Sequence, residues 1–174
     1  MAGTPAPSPA FRAARYDLED AGLWLSAVTQ AEAVLLGATL AAFEPWVHYG
    51  TPAANLTSLL APTDDGGTRL AVRAAGDTAP VGVMVIRDPW LAGPYMQFLA
   101  LLPGAQGRDH GQALLDWFER QARSAGARNL WICVSTFNTG ALRLYLRFGF
   151  AAVTILDDLL KPGVDEILMR KRLV

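Results

Sequence analysis

Leu101-Leu102-Pro103-Gly104-Ala105-Gln106-Gly107-Arg108-Asp109-His110-Gly111-Gln112-Ala113-Leu114-Leu115 joins an apolar run to a segment of helical periodicity through a glycine-bearing loop. The run reads as a buried strand and the segment beyond the loop as an amphipathic helix. The first N–H groups of a helix have no intrahelical acceptor, and its dipole places partial positive charge at the same end. A loop with little side-chain bulk lets an anion approach those amides. The stretch therefore points to a phosphate-containing ligand, against the alternative of an ordinary strand-to-helix turn.

Beyond it, Leu114, Leu115, Phe118, Ala122 and Ala125 recur at three- and four-residue steps and predict a helix over 111–125, closed by Gly126. Asn129–Val134 reads as a buried strand. Asn138 caps a second helix with the inward stripe Ala141, Leu144, Tyr145 and Phe148, stopped by Gly149. Two closing strands, Phe150–Leu156 and Asp165–Arg172, flank Lys161-Pro162-Gly163.

On the other side, Pro94–Leu102 is apolar on both faces apart from Gln97, as a central strand would be. Asp88 to Gly93 reads as a break. Thr68–Ala75 and Pro80–Arg87 form a hairpin about Gly76-Asp77. A short helix runs from Thr51-Pro52 to Leu60, and 44–50 is a loop after Pro45. A long helix is expected over Ala21–Phe43, preceded by a strand within 10–17. The order is strand, two helices, three strands, helix, strand, helix, two strands. That is an α/β (α+β) chain.

At 174 residues this is one domain, expected over 11–174 behind a flexible tail of residues 1–10. The net charge of −1 disfavours nucleic acid as the main partner, because phosphate neutralisation needs a positive excess. Cys133 is the single cysteine, so no internal disulfide forms, and its apolar neighbours suit a packed thiol rather than a nucleophile. With two histidines beside it, no Cys/His zinc site is expected, and no metal. The stretch Leu23 to Phe43 is long enough to span a membrane, but Gln30 and Glu32 inside it argue for a soluble helix. Met1 to Pro9 lacks the basic and apolar parts of a secretory leader, so a cytoplasmic protein is expected.

The loop segment resembles the pyrophosphate motif of the GNAT superfamily of N-acetyltransferases, Gln/Arg-x-x-Gly-x-Gly/Ala, with Gln106 first and Gly111 last. Asn138-Thr-Gly-Ala141-Leu-Arg-Leu-Tyr145-Leu-Arg-Phe-Gly149-Phe150 resembles that family's Asn-x-x-Ala-x-x-x-Tyr-x-x-x-Gly-Phe signature. The two lie in the family's order, and the resemblance covers roughly residues 68–172. It implies a mixed, mostly antiparallel sheet of six to seven strands flanked by about four helices. It also implies acetyl-CoA as acyl donor and an amine acceptor, a small molecule or a protein amine, in a monomer or homodimer. Backbone groups of Leu101 and Leu102 would meet the acetyl and pantetheine portions. The pyrophosphate would rest on the loop formed by Gln106, Gly107, Arg108, Asp109, His110, Gly111 and Gln112. Asn138 would contact the cofactor arm, and Tyr145 would protonate the leaving thiolate after direct attack by the amine. Without the motif, Tyr145 is simply one aromatic on a packed helix face.

Two departures stand out. Asp109 occupies the motif's first glycine position, where its carboxylate opposes a diphosphate unless it turns outward to cap the helix. The strand 94–102, where the family often carries a glutamate base, offers only Tyr95 and Gln97, leaving Glu44, His48, Asp88 or water to remove the proton. Glu44, Trp46, His48 and Tyr49 would shape an acceptor pocket together with Gln97, favouring a cationic amine; alternatively Trp46 and Tyr49 are core anchors. The departures leave open a second reading, a weak or inactive GNAT-like module that holds acyl-CoA or a protein partner. A nucleotide-binding α/β protein is a third, but neither a Walker lysine nor a dinucleotide fingerprint accompanies the loop.

Overall fold

One eight-stranded sheet organises the chain, with strand order β1-β2-β3-β4-β5-β6-β8-β7 in a computed structural model that describes residues 9–63 and 65–173. The strands are β1 (Arg15–Leu18), β2 (Leu23–Ala27), β3 (Gly67–Ala74), β4 (Gly82–Trp90), β5 (Gly93–Leu101), β6 (Asn129–Ser135), β7 (Ala151–Lys161) and β8 (Val164–Arg172). Helices α1 (Gln30–Leu40), α2 (Trp46–Tyr49) and α3 (Ala53–Leu60) join β2 to β3. Helix α4 (His110–Ser124) joins β5 to β6, and α5 (Thr139–Phe148) joins β6 to β7. Every neighbouring pair is antiparallel except β5 and β6. The sheet thus has one or two strands more than the resemblance implies, and there are five helices rather than four. The expected tail lies outside the described residues as far as residue 8; Pro9–Phe11 is a 3-10 turn whose Phe11 is buried against Trp117 and Phe118.

The extra strand comes from the segment read as one long helix. Leu23 and Leu25 are buried while Trp24 between them lies sandwiched by the guanidinium groups of Arg15 and Arg73, the alternation of a strand. The strand pairs with β1 and β3. The helix begins only at Gln30, where Thr29 and Glu32 form a reciprocal capping box. Glu32 also bonds Arg73, tying α1 to the sheet. Among the described residues no helix is long and apolar enough to cross a membrane. The break expected at 88–93 is instead a hairpin tip: β4 continues to Trp90, which pairs with Gly93, and Leu91 and Ala92 turn the chain at positive φ.

Two apolar cores lie on opposite faces of the sheet. Helices α1 and α3 cover one, packing Leu36, Leu40, Leu56 and Leu60 on Ala71, Val83, Val85 and Ala100. Their close approach needs Gly37, since a Cβ there would meet Thr57 Oγ1 at 2.3 Å. Helices α4 and α5 cover the other face through Leu114, Leu115, Phe118, Tyr145 and Phe148. Strand β5 contributes to both cores, Met96 to one and Ala100 to the other, which accounts for its apolar sequence.

Candidate active site

The site opens where the sheet stops pairing. Strands β5 and β6 are in register only at Tyr95↔Trp131 and Met96↔Ile132, so beyond these residues they separate. Leu102 donates its N–H to Val81 O (2.9 Å) and accepts from Ala105 N–H (2.8 Å), so the backbone groups expected to be free on Leu102 are already used. Peptide groups alternate sides along a strand, which turns those of Leu99 and Leu101 toward the opening. The Gln106 side chain donates to Leu101 O at 2.8 Å and pins the loop to the strand end.

Next the loop climbs into α4. Gly107 and Asp109 both have positive φ, +71° and +57°. Asp109 holds the left-handed conformation that glycine adopts more easily, and aspartate is among the few side chains that tolerate it. Its carboxylate makes no capping bond. The helix-capping arrangement considered for Asp109 is therefore not adopted, and the exposed residue lines the cavity. Among the described residues, the backbone N–H groups of Gly107, Arg108, Asp109, His110, Gly111 and Gln112 have no hydrogen-bond acceptor, while Ala113 N–H bonds Asp109 O at 3.0 Å and starts the helix ladder. His110 Nδ1 is buried without a partner in the same place. Gly111 lies so near α5 that a Cβ would stand 3.1 Å from Leu144 Cδ2.

These features surround a cavity of about 940 Å³ between α4 and α5 that reaches α2. Of the residues singled out in the sequence it brings together Leu101, Gln106, Gly107, Asp109, His110, Gly111, Gln112, Asn138 and Tyr145 with Glu44, Trp46 and His48. Leu102, Arg108, Tyr49 and Gln97 are not in its lining. Asn138 caps α5 by accepting Ala141 N–H through Oδ1 (3.2 Å), which leaves its amide nitrogen for a ligand. The Tyr145 ring is buried against Phe150, and burial pushes its hydroxyl up to about 12, so it stays protonated at neutral pH. Its hydroxyl has no hydrogen-bond partner among the described residues. The cleft thus has free backbone amides at one end and a protonated tyrosine at the other.

On the α2 side the wall is aromatic. Trp46 stacks on Phe98 with centroids 5.1 Å apart, and His48 lies 4.1 Å from the Phe137 ring. Lys161 donates to His48 O at 2.9 Å, tying the β7–β8 hairpin to α2. Gln97 sits at a β-bulge and is not in the cavity lining; its side-chain Oε1 accepts from Arg87 Nε (2.7 Å). Tyr49 lies behind Phe137, and its hydroxyl bonds Ser135 and the carboxylate of Glu166. Burial and, next, Glu166 push the Cys133 thiol up to about 11, so it is neutral. Sequence reasoning did not single out Phe137 or Glu166, and it read Leu144 only as part of the packed stripe of α5. The signal for Glu166 was a carboxylate at an inward position of a strand, two residues after the inward Val164.

Comparison with known proteins agrees with this geometry. The model of the Acetyltransferase (GNAT) family matches residues 38–150. Streptothricin acetyltransferase from Streptomyces lavendulae is 33% identical over 87 residues, 50% of this chain and 46% of that protein, so the chain spans about half the length of the curated relative it matches. A chimera of the spermidine N-acetyltransferase SpeG from Vibrio cholerae and hSSAT shares the fold at 16% identity, with a TM-score of 0.68 over 87% of this chain and 95% of that one. A GNAT family acetyltransferase from Elizabethkingia anophelis, solved with acetyl-CoA bound, does so at 19% identity, with a TM-score of 0.56 over 62% of this chain and 77% of that one.

Proposed function

Because this chain belongs to the acetyltransferase (GNAT) family, we propose that it is an N-acetyltransferase that moves an acetyl group from acetyl-CoA to a primary amine by direct attack. One observation carries the reading: the free backbone N–H groups run from 107 to 112, and five of the residues that bear them, Gly107, Asp109, His110, Gly111 and Gln112, line the same cavity as Tyr145. The amides and the start of α4 hold the diphosphate. Gly111 keeps α4 and α5 close enough to grip the pantetheine arm, with the Asn138 amide nitrogen beside it. The outward-turned amides of Leu99 and Leu101 face the acetyl carbonyl and stabilise charge developing on its oxygen. Tyr145 gives its proton to sulfur as the carbon–sulfur bond breaks, and recovers one from the nitrogen that has attacked. No covalent enzyme intermediate is needed, which suits a neutral Cys133.

The acceptor enters past α2. Glu44 supplies negative charge and Trp46, His48 and Phe137 supply aromatic faces, a lining suited to an alkylammonium group. Relatives named for streptothricin and spermidine acetylation are consistent with an amine-bearing small molecule.

Release of free CoA thiol from acetyl-CoA across a panel of primary amines, polyamines and streptothricin-type amines included, tests this. Turnover with at least one cationic amine is expected. A protein that acetyl-CoA stabilises against heat but that releases no thiol with any amine is a binding module instead.

A further inference from the structure

The chemistry so far leaves one buried carboxylate unused and the acceptor's proton without a destination. Glu166 is 3% exposed, in strand register with Ser135 on the flank where β5 and β6 part. Among the described residues no lysine, arginine or histidine pairs with it. Its one side-chain partner is the Tyr49 hydroxyl, which also meets Ser135 Oγ. Burying an unpaired carboxylate costs several kcal/mol, and such groups concentrate at functional sites. Tyr49 belongs to α2, one ring behind the cavity wall: its ring packs 5.5 Å from Phe137 and 6.3 Å from His48, both of which line the cavity.

The surroundings are polar and neutral. From β5 comes Tyr95, and from β6 come Cys133 and Ser135. Strand β7 places Leu156 opposite Glu166. The charged groups nearby are engaged elsewhere: Asp165 accepts Asp158 N–H, Asp158 accepts Gly163 N–H, Lys161 donates to His48 O, and Arg170 lies over Trp131. Burial first, then Cys133, Glu166 and Tyr145, raise the Tyr95 hydroxyl, so it stays neutral.

We propose that Glu166, acting through the Tyr49 hydroxyl, takes up the proton that the acceptor amine loses before it attacks. This rests on the acetyltransferase reading and supplies the proton-removing group that reading lacks. The acceptor arrives as an ammonium ion in the cavity, and because Tyr49 stands one ring behind the wall, a bridging water carries the proton to its hydroxyl. One N–H proton passes to the Tyr49 oxygen as the tyrosine's own proton passes to Glu166, so Tyr49 is neutral before and after. The freed electron pair forms the C–N bond, and the C–S bond breaks with its pair going to sulfur. Sulfur takes the proton of Tyr145, Tyr145 takes the second proton of the nitrogen, and Glu166 returns its proton to solvent. Tyr49 suits a relay: burial first and the Glu166 bond second push its hydroxyl up, so it does not ionise. Glu166 is a positioning residue for the proton rather than a group touching the thioester.

The test is the pH profile of kcat/KM for Glu166→Gln and Tyr49→Phe, measured with any amine that the wild-type protein acetylates. Each variant is expected to lose on the order of 100-fold at neutral pH. Its acid limb should move toward the free acceptor's own pKa, near about 10 for an alkylamine, while the acetyl-CoA-induced rise in Tm stays at the wild-type value. A wild-type profile in either variant, with the rate merely scaled down or unchanged, overturns the proposal. If Glu166→Gln does not fold, Tyr49→Phe decides alone, since it leaves Glu166 and Ser135 in place. Absence of thiol release by the wild-type protein overturns the acetyltransferase reading and this one with it; an unshifted profile in an active variant overturns this one only.

Discussion

Gly111 and Leu144 face each other across the cleft with no room between them: a Cβ on Gly111 would stand 3.1 Å from Leu144 Cδ2. The cleft between α4 and α5 is set by that contact, one helix supplying free amides and the other Asn138 and Tyr145.

Substituting Gly111→Val wedges the two helices apart. Overpacking of this kind costs about 1–3 kcal/mol, which for a domain of this size lowers Tm by roughly 2–10 °C. The rise in Tm on adding acetyl-CoA should disappear although circular dichroism still reports a folded protein. An undiminished rise would place the donor elsewhere.

Asp109→Gly removes a side chain held at φ +57° and a carboxylate from the cavity wall. Relief of left-handed strain contributes about 1 kcal/mol, and loss of one like charge beside the diphosphate about another 1 kcal/mol. Calorimetric titration should show acetyl-CoA bound about fivefold more tightly, with a higher Tm. Weaker binding would mean that the Asp109 carboxylate assists the site.

The strand–loop–helix unit around Gly111 and the second helix from Asn138 are legible from sequence because their information is local: periodicity, a cap, glycines at turns. Both helices appear within a residue or two of their expected bounds. The stretch 21–43 was not, since Leu23-Trp24-Leu25 is apolar at every step and fits either period; only pairing with β3 makes it a strand. Thr29 and Glu32 carried a capping-box signal that the long apolar run obscured. The link from Tyr49 to Glu166 spans 117 residues, and no pattern along one strand reveals a partner that distant. Leu102 illustrates a subtler limit: the strand was found, but the side to which its peptide groups turn depends on the bond to Val81.

Tyr145→Phe keeps the packing of a residue that is 7% exposed and removes only the hydroxyl. Loss of a general acid lowers kcat on the order of 100-fold, and the acetyl-CoA-induced rise in Tm should be retained. Stopped assays of thiol release against calorimetric binding separate the two. Unchanged kcat would remove Tyr145 from the reaction.

Acid stability reports the tie between α1 and the sheet. Burial raises the Glu32 carboxyl, but bonds from the Thr29 backbone and hydroxyl and from Arg73 outweigh it and leave the group below its ordinary value. A lowered folded value means a contribution fully present above the unfolded value, near about 4.3, and lost as pH falls through the folded one. Glu32→Gln should therefore cost about 2 kcal/mol at neutral pH, and the gap in stability from the wild type should close on acidification. A gap that stays constant down to about pH 2 would show that the charge on Glu32 is not what stabilises α1.

A crystal structure of the protein with acetyl-CoA tests the central claim most directly. The diphosphate should lie within hydrogen-bond distance of the N–H groups of residues 107 to 112, with the thioester sulfur beside the Tyr145 hydroxyl. A diphosphate bound away from those amides, or a cleft left vacant at saturating acetyl-CoA with the Asp109 carboxylate filling it, would contradict the account.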